Sequence, residues 1–454
     1  MNAVVSSARK FGSDLWVDRR FAPVPRALHL VLVGLVFLYS ALNLTDAGAV
    51  KAVEGLFLLV GLFAFFRYPT GLRNSVPVWF MLASVILLTL SWALMTLDHP
   101  EWARSGPALE DYLDKFIFLF IALALAGEVR NVATYLAVVG VFVLLMPWLS
   151  GEGWSDLADG LAGQRIGFGI NPIRTGMLFA AVMLGLLCFW RRIFSVPQFS
   201  LARFVLWAFL LVYAAVCLLM TQSRTAMVAL IPALIFAAIL VFVISGVSLK
   251  KKLSYAVFAV VLSGGVAGTA YTTGLLDTTV ERFQSEAQVV NKLLEGNVDE
   301  MPKSAWGLRV QFWVAGAEWF AERPLAGWGY RAGHLVLEQE NVVDEGGRSF
   351  GQVHNSYLEA GLRYGVGGII IILGLFVWAL AGSYRLWRSG QLPTDFFVFF
   401  WVFFCFFLGT NMFDGILFQD EGVLLFNVMM GATGTFIFAS MVQYKVSIAA
   451  GESE

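Results

Sequence analysis

The stretch GQVHNSYLEAGLRYGVGGIIIILGLFVWALAG, Gly351 to Gly382, has two unlike halves. The second is an unbroken apolar run, and the first gathers His354, Asn355, Glu359 and Arg363 at its mouth. Such a run belongs either in a bilayer or in the core of a large soluble protein. The rest of the chain selects the bilayer. Of its 454 residues 58% are hydrophobic, 14% are charged and 40 are phenylalanine, and the mean hydropathy is +0.74. A soluble protein of this length could not hide so much apolar surface, whereas lipid solvates it. The polar cluster therefore sits where a membrane helix meets water.

Composition also narrows the partners. A net charge of -1 gives no reason to expect a nucleic-acid partner. Cys188, Cys217 and Cys405 all lie in apolar runs, with no CxxC or Cys/His spacing, and read as small core hydrophobes. The N-terminal stretch MNAVVSSARKFGSDLWVDRRFAPVPR is polar and basic without an early apolar core, so it does not read as a cleaved signal peptide.

A spanning helix needs roughly 20 mostly apolar residues. Runs that approach this cover 27–45, 49–66, 76–97, 115–128, 131–149, 174–190, 202–222, 225–246, 253–272, 354–383, 395–416 and 420–442. The expected fold is all-α and polytopic, with about twelve transmembrane helices. Basic residues fall in every second connection: Arg9, Lys10, Arg19, Arg20 and Arg26; Arg67 and Arg73; Arg191, Arg192 and Arg203; Lys250, Lys251 and Lys252; Arg385 and Arg388. The positive-inside rule places these loops and both termini in the cytoplasm. The expected organisation is a cytoplasmic segment at 1–26, nine spans over 27–272, an outer helical cap over 273–353, three spans over 354–442 and a cytoplasmic tail at 443–454.

The cap shows helical periodicity. Val280, Phe283, Ala287, Val290 and Leu294 recur at helical spacing, as do Leu308, Phe312, Ala315 and Trp319, with Pro324 closing the second stripe. NVVDEGGRSFGQ has the glycine and charge content of a mobile strip. His354 would open the tenth span, with Asn355 as a helix-start residue. On a regular helix Gly361, Gly365 and Gly368 fall within about 40° of the face of His354, a seam that lets a neighbouring helix approach. His29, His99 and His334 read as structural.

Arginines at the outer side sharpen the chemistry. Arg224, in LLMTQSRTAMVALIP, sits in a very tight turn between two long helices, where arginine is least expected. Arg165 and Arg174 flank a Gly/Asn/Pro turn, and Arg309 lies on the cap four residues before Trp313. Arg363 falls about 180° from His354 on a regular helix, toward a different neighbour. Asp414 closes the eleventh span on the same side and is the expected buried acidic partner for one of these cations. Several guanidinium groups on one membrane face suit a doubly charged anion, because the planar fork matches phosphate oxygens. There is no P-loop, no GxGxxG after a strand and no acidic cluster for Mg²⁺, so a lipid-linked phosphate fits better than a nucleotide.

QSRTAMVAL, LRVQFWVAGAEWFAERPLAGWGYRAG and HNSYLEAGLRYGVGG, in that order, resemble the O-antigen ligase family within the ligase and polymerase group of membrane glycosyltransferases. The motifs span roughly 160–370, and the expected topology extends the likeness to a GT-C-like arrangement over the whole chain. The resemblance implies an inverting transfer that needs neither metal nor cofactor. The donor would be O-antigen on undecaprenyl pyrophosphate and the acceptor a sugar hydroxyl of lipid A-core, at the periplasmic face of a Gram-negative inner membrane. By the resemblance His354 is the essential histidine, Arg224 and Arg309 are donor-binding, Arg165 and Arg174 match less closely, and Asp414 follows from position alone. Tyr330, in GWGY, would offer a stacking or hydrogen-bonding surface to sugars. An O-antigen polymerase remains an alternative with the same donor. Protein O-oligosaccharyltransferases usually add a C-terminal outer domain, and an anion transporter would place its charges near the midplane.

Overall fold

The computed structural model describes residues 24–45, 49–68, 72–244, 289, 292, 301, 304–342 and 350–449. Among them are α1 (Arg26–Asn43), α2 (Val50–Arg67), α3 (Val76–Asp98), α4 (Glu110–Leu113), α5 (Phe118–Leu125), α6 (Val129–Leu149), α7 (Trp154–Leu161), α8 (Pro172–Cys188), α9 (Leu201–Met220) and α10 (Arg224–Ile244). The cap supplies α11 (Ala305–Glu322) and α12 (Ala332–Gln339), followed by α13 (Ser356–Arg388), α14 (Thr394–Phe413) and α15 (Asp420–Ala449). No strand occurs among the described residues. Eight of these helices, α1, α3, α6, α9, α10, α13, α14 and α15, are long and apolar enough to cross a membrane. Helix α8 is apolar but shorter, and α2 carries Lys51, Glu54 and Arg67. The expected span at 253–272 and the first cap stripe lie outside the described residues, apart from isolated positions, as do residues 343–349 of the expected mobile strip.

The run at 115–128 is not one spanning helix. It breaks into a 3₁₀ turn at Asp114–Phe116 and the eight-residue α5, which ends at left-handed Ala126. Every residue of α5 is buried, so it contacts protein and not lipid. Broken backbone at membrane depth is tolerated only where its polar groups find partners inside the protein. Here α15 provides them. Asn427 Oδ1 accepts from Phe118 N–H at 3.0 Å, and its Nδ2 donates to the Asp114 carbonyl at 2.7 Å. Thr435 Oγ1 accepts from Gly127 N–H at 2.7 Å and donates to the Ala122 carbonyl at 2.8 Å. The phenylalanines of α14, from Phe396 to Phe407, are almost all buried against their neighbours.

Helix α13 corrects two expectations. His354 precedes the helix, with φ of +52°, and Asn355 is the cap, its Oδ1 accepting from Tyr357 and Leu358 N–H at 3.0 Å each. The helix then breaks at Tyr364 (φ -137°, ψ 19°) and Gly365 (φ 63°, ψ -162°). The glycines therefore do not form one seam with His354. A Cβ at Gly365 would strike the carbonyl of Leu325, one at Gly361 would press on Phe320, and one at Gly368 would meet the Tyr112 hydroxyl. They admit the cap and the loop before α5, not a neighbouring spanning helix. The cap is tied to the break by Trp328 N–H to the Leu362 carbonyl (2.6 Å), Gly329 N–H to the Arg363 carbonyl (2.9 Å) and Val366 N–H to the Pro324 carbonyl (2.7 Å). Its apolar stripe, Leu308, Phe312 and Ala315, is buried against Trp328, Val336 and Leu362.

Candidate active site

His354 sits where cap, α13 and the loop after α14 meet. Its Nδ1 lies 3.0 Å from Asp414 Oδ1, and Phe312 and Phe350 approach its ring at 5.9 and 6.1 Å between centroids. Asp414 also accepts from Gly415 N–H at 2.8 Å and Gln352 Nε2 at 3.3 Å, all on Oδ1. Arg309, reaching down from α11, stands with Nη2 3.7 Å from the other oxygen, Oδ2. Burial pushes the Asp414 carboxyl up, but hydrogen bonds from His354 and Gly415 N–H and the nearby Arg309 charge help hold it below its ordinary value. An ionised carboxylate only accepts, so His354 Nδ1 must carry the proton. That tautomer leaves Nε2 as the basic nitrogen, and among the described residues no hydrogen bond engages it. The side chain is 21% exposed, open enough to meet a substrate.

The positive φ of His354 is uncommon for a residue with a Cβ and needs support from its surroundings. The support comes from both flanks. Trp313 Nε1 donates to the Val353 carbonyl at 3.0 Å, and Glu359 Oε2 accepts from Val353 N–H at 3.1 Å. Glu359, fully buried, pairs through Oε1 with Arg363 (Nε 2.8 Å, Nη2 2.7 Å). Arg363 in turn holds both oxygens of Asp111 at 3.0 and 2.8 Å, and Tyr364 donates to Asp111 Oδ2 at 2.6 Å. Burial would raise the Asp111 carboxyl, yet the Arg363 and Lys115 charges and these hydrogen bonds bring it below its ordinary value. On the other side, Ser356 Oγ donates to Asn411 Oδ1 at 2.6 Å, joining the start of α13 to the end of α14.

The remaining arginines gather on an adjoining corner. Gln222, at φ of +48°, turns the chain so that Arg224 becomes the first residue of α10 directly after α9. Arg165 Nε donates to the Thr221 carbonyl at 3.2 Å, and Gln222 Nε2 donates to the Gly163 carbonyl at 2.8 Å. Ser223 Oγ reaches the Ile173 carbonyl, so the start of α8 packs on the same turn. Arg174 pairs with Glu421 at 2.7 Å, in the first turn of α15 just after the loop that carries Asp414. His354, Asp414 and Arg309 are thus in direct contact, with Arg165 and Arg224 on one turn and Arg174 bridging to the start of α15. Tyr330 and Arg363 stand apart from His354: the Arg363 guanidinium lies 5.6 Å from the Tyr330 ring.

Residues 209–373 match the family model described as O-antigen ligase. The chain carries an O-antigen ligase domain. That domain runs from α9 through the first half of α13, so it contains Arg224, Arg309 and His354, while Arg165, Arg174 and Asp414 lie outside its matched residues. No curated protein matches the chain. Ligase-domain proteins form a membrane glycosyltransferase-like group of ligases and polymerases, acting on lipid-linked saccharides in a membrane. Sequence reasoning gave no role to Glu359 or Asp111, the two carboxylates that hold Arg363. Glu359 is four residues before Arg363, a spacing that signals an intrahelical pair. Asp111 is 252 residues away from Arg363 and has no local signature.

Proposed function

We propose that this protein is a glycosyltransferase that joins a lipid-linked O-antigen to the core sugar of lipid A. The observation that carries the reading is the His354–Asp414 pair with Arg309 beside it, at the polar mouth of a membrane helix. Neutral His354 takes the proton of the acceptor hydroxyl through Nε2 as that oxygen attacks the anomeric carbon of the donor. The new C–O bond forms as the bond to undecaprenyl pyrophosphate breaks, with inversion at carbon. Asp414 holds the imidazole tautomer and stabilises the imidazolium. Charge growing on the departing pyrophosphate faces the guanidinium groups of Arg309 and Arg224, with Arg165 and Arg174 around them. Both substrates are lipid-anchored, so holding them in one membrane plane supplies proximity. The alternation of basic loops supports cytoplasmic termini and a site facing the periplasm of a Gram-negative inner membrane.

The test is a gel of lipopolysaccharide and lipid-linked glycan from cells that carry only His354→Ala, with membrane levels of the protein checked in parallel. Bare lipid A-core beside accumulated polymer on the carrier supports the reading. Core bearing a single repeat would make the protein a polymerase, and a normal ladder would remove His354 from catalysis.

A further inference from the structure

Beside the α13 break lies a shallow aromatic cleft that the transfer chemistry does not use. Trp92, Trp102, Arg104, Trp328, Tyr330 and Tyr364 line it. Trp102 is 36% and Tyr330 38% exposed, although both are large rings. His99 stacks on Trp102 at 4.6 Å with 13° between planes, and Trp319 and Trp328 lie 4.7 Å apart behind it. Trp92 Nε1 donates to the Arg104 carbonyl, Trp328 Nε1 to the Trp319 carbonyl, and Trp319 Nε1 to Glu340. These bonds fix the indoles of Trp92, Trp328 and Trp319, against which Trp102 packs through ring contacts with Trp319 and Trp328.

The rim is charged. Arg104 pairs with Glu110 at 2.5 Å and lies 5.0 Å from the Tyr330 ring; Arg323 pairs with Asp98 at 2.8 Å and covers Trp328 at 4.5 Å. Glu101 stands beside His99. A lipid chain would have to strip water from these ion pairs and give no hydrogen bond in return, which is costly. A nucleic acid would meet Asp98, Glu101 and Glu110. A sugar ring matches both parts: its C–H face lies on an aromatic ring, and its hydroxyls both donate to carboxylates and accept from guanidinium groups.

We infer that this cleft is a saccharide subsite that takes a ring of the acceptor glycan, with Trp102 and Tyr330 as the stacking surfaces. The inference rests on the transfer reading for the identity of the glycan. Two of the cleft's lining residues, Trp328 and Gly329, donate to the Leu362 and Arg363 carbonyls. Arg363 follows His354 by nine positions in the chain, so a bound glycan would lie along the stretch that leads to the reacting histidine.

Calorimetric titration of the purified chain in lipid nanodiscs with deacylated core oligosaccharide tests this. The expected result is measurable binding by the natural protein and at least a tenfold loss in Trp102→Ala and Tyr330→Ala. Trp102→Phe, which keeps a ring, should stay within about threefold, and thermal unfolding of each variant should match the natural protein. Unchanged affinity in both alanine variants overturns the subsite, as does no binding by the natural protein. Preferential binding of the O-antigen repeat oligosaccharide overturns its assignment to the acceptor. Transfer by His354→Ala would instead sink the catalytic reading and leave the binding result standing.

Discussion

Asp414 offers a clean test of charge against geometry. Its Oδ1 accepts from His354, Gly415 and Gln352, whereas Oδ2 faces Arg309. Asp414→Asn keeps an oxygen for the three donors and removes the negative charge. Turnover in reconstituted vesicles should then fall roughly 10²–10⁴-fold, with the fall in kcat and little change in KM. A fall confined to KM would make Asp414 a binding group. Arg224 allows a similar separation. If it grips two phosphate oxygens, Arg224→Lys should lose nearly as much activity as Arg224→Ala; full activity in the lysine variant would mean that charge alone suffices. The histidine and the arginines were legible in the sequence because charges stand out against apolar runs. The left-handed backbone of His354 was not, since it depends on Val353 being held from α11 and from Glu359.

Elements were legible where each is long and uniformly apolar, as in α6, α9, α10 and α14. Reading failed at 115–128 because hydropathy records what surrounds a segment, not whether it is regular. Lipid and buried protein surroundings look alike, and the polar groups that Asn427 and Thr435 satisfy around α5 are met from more than 300 residues downstream. Helix α13 misled for a related reason: glycine spacing looked like a packing seam, whereas Gly365 supplies a positive φ and room for the Leu325 carbonyl. The buried Glu359–Arg363–Asp111 chain gives this element its own prediction. Glu359→Gln should destabilise the protein by about 3 kcal/mol, since it leaves part of the Arg363 charge unmatched. It should also lower turnover by loosening Val353. Thermal unfolding in detergent and vesicle assays read the two effects, and an unchanged melting point would show that Asp111 alone satisfies Arg363.

At the scale of the molecule, orientation can be checked directly. In a background with Cys188, Cys217 and Cys405 replaced by serine, Gly351→Cys should react with a membrane-impermeant maleimide on intact spheroplasts. A cysteine at Gln391 should react only after permeabilisation. The opposite pattern would invert the topology and move the site to the cytoplasm. Both positions are exposed, and a Cβ at Gly351 meets no neighbour. The break at Tyr364–Gly365 bears on how the protein lives in membranes of unequal thickness. Below it, 366–388 makes a rod of roughly 35 Å at the usual helical rise, against a hydrocarbon layer of about 30 Å. That lower rod can lean to fit its lipid without turning the two turns above, which are fastened to the cap. On the proposed reading, hydrophobic mismatch is expected to fall on this lower rod and not on the His354 site.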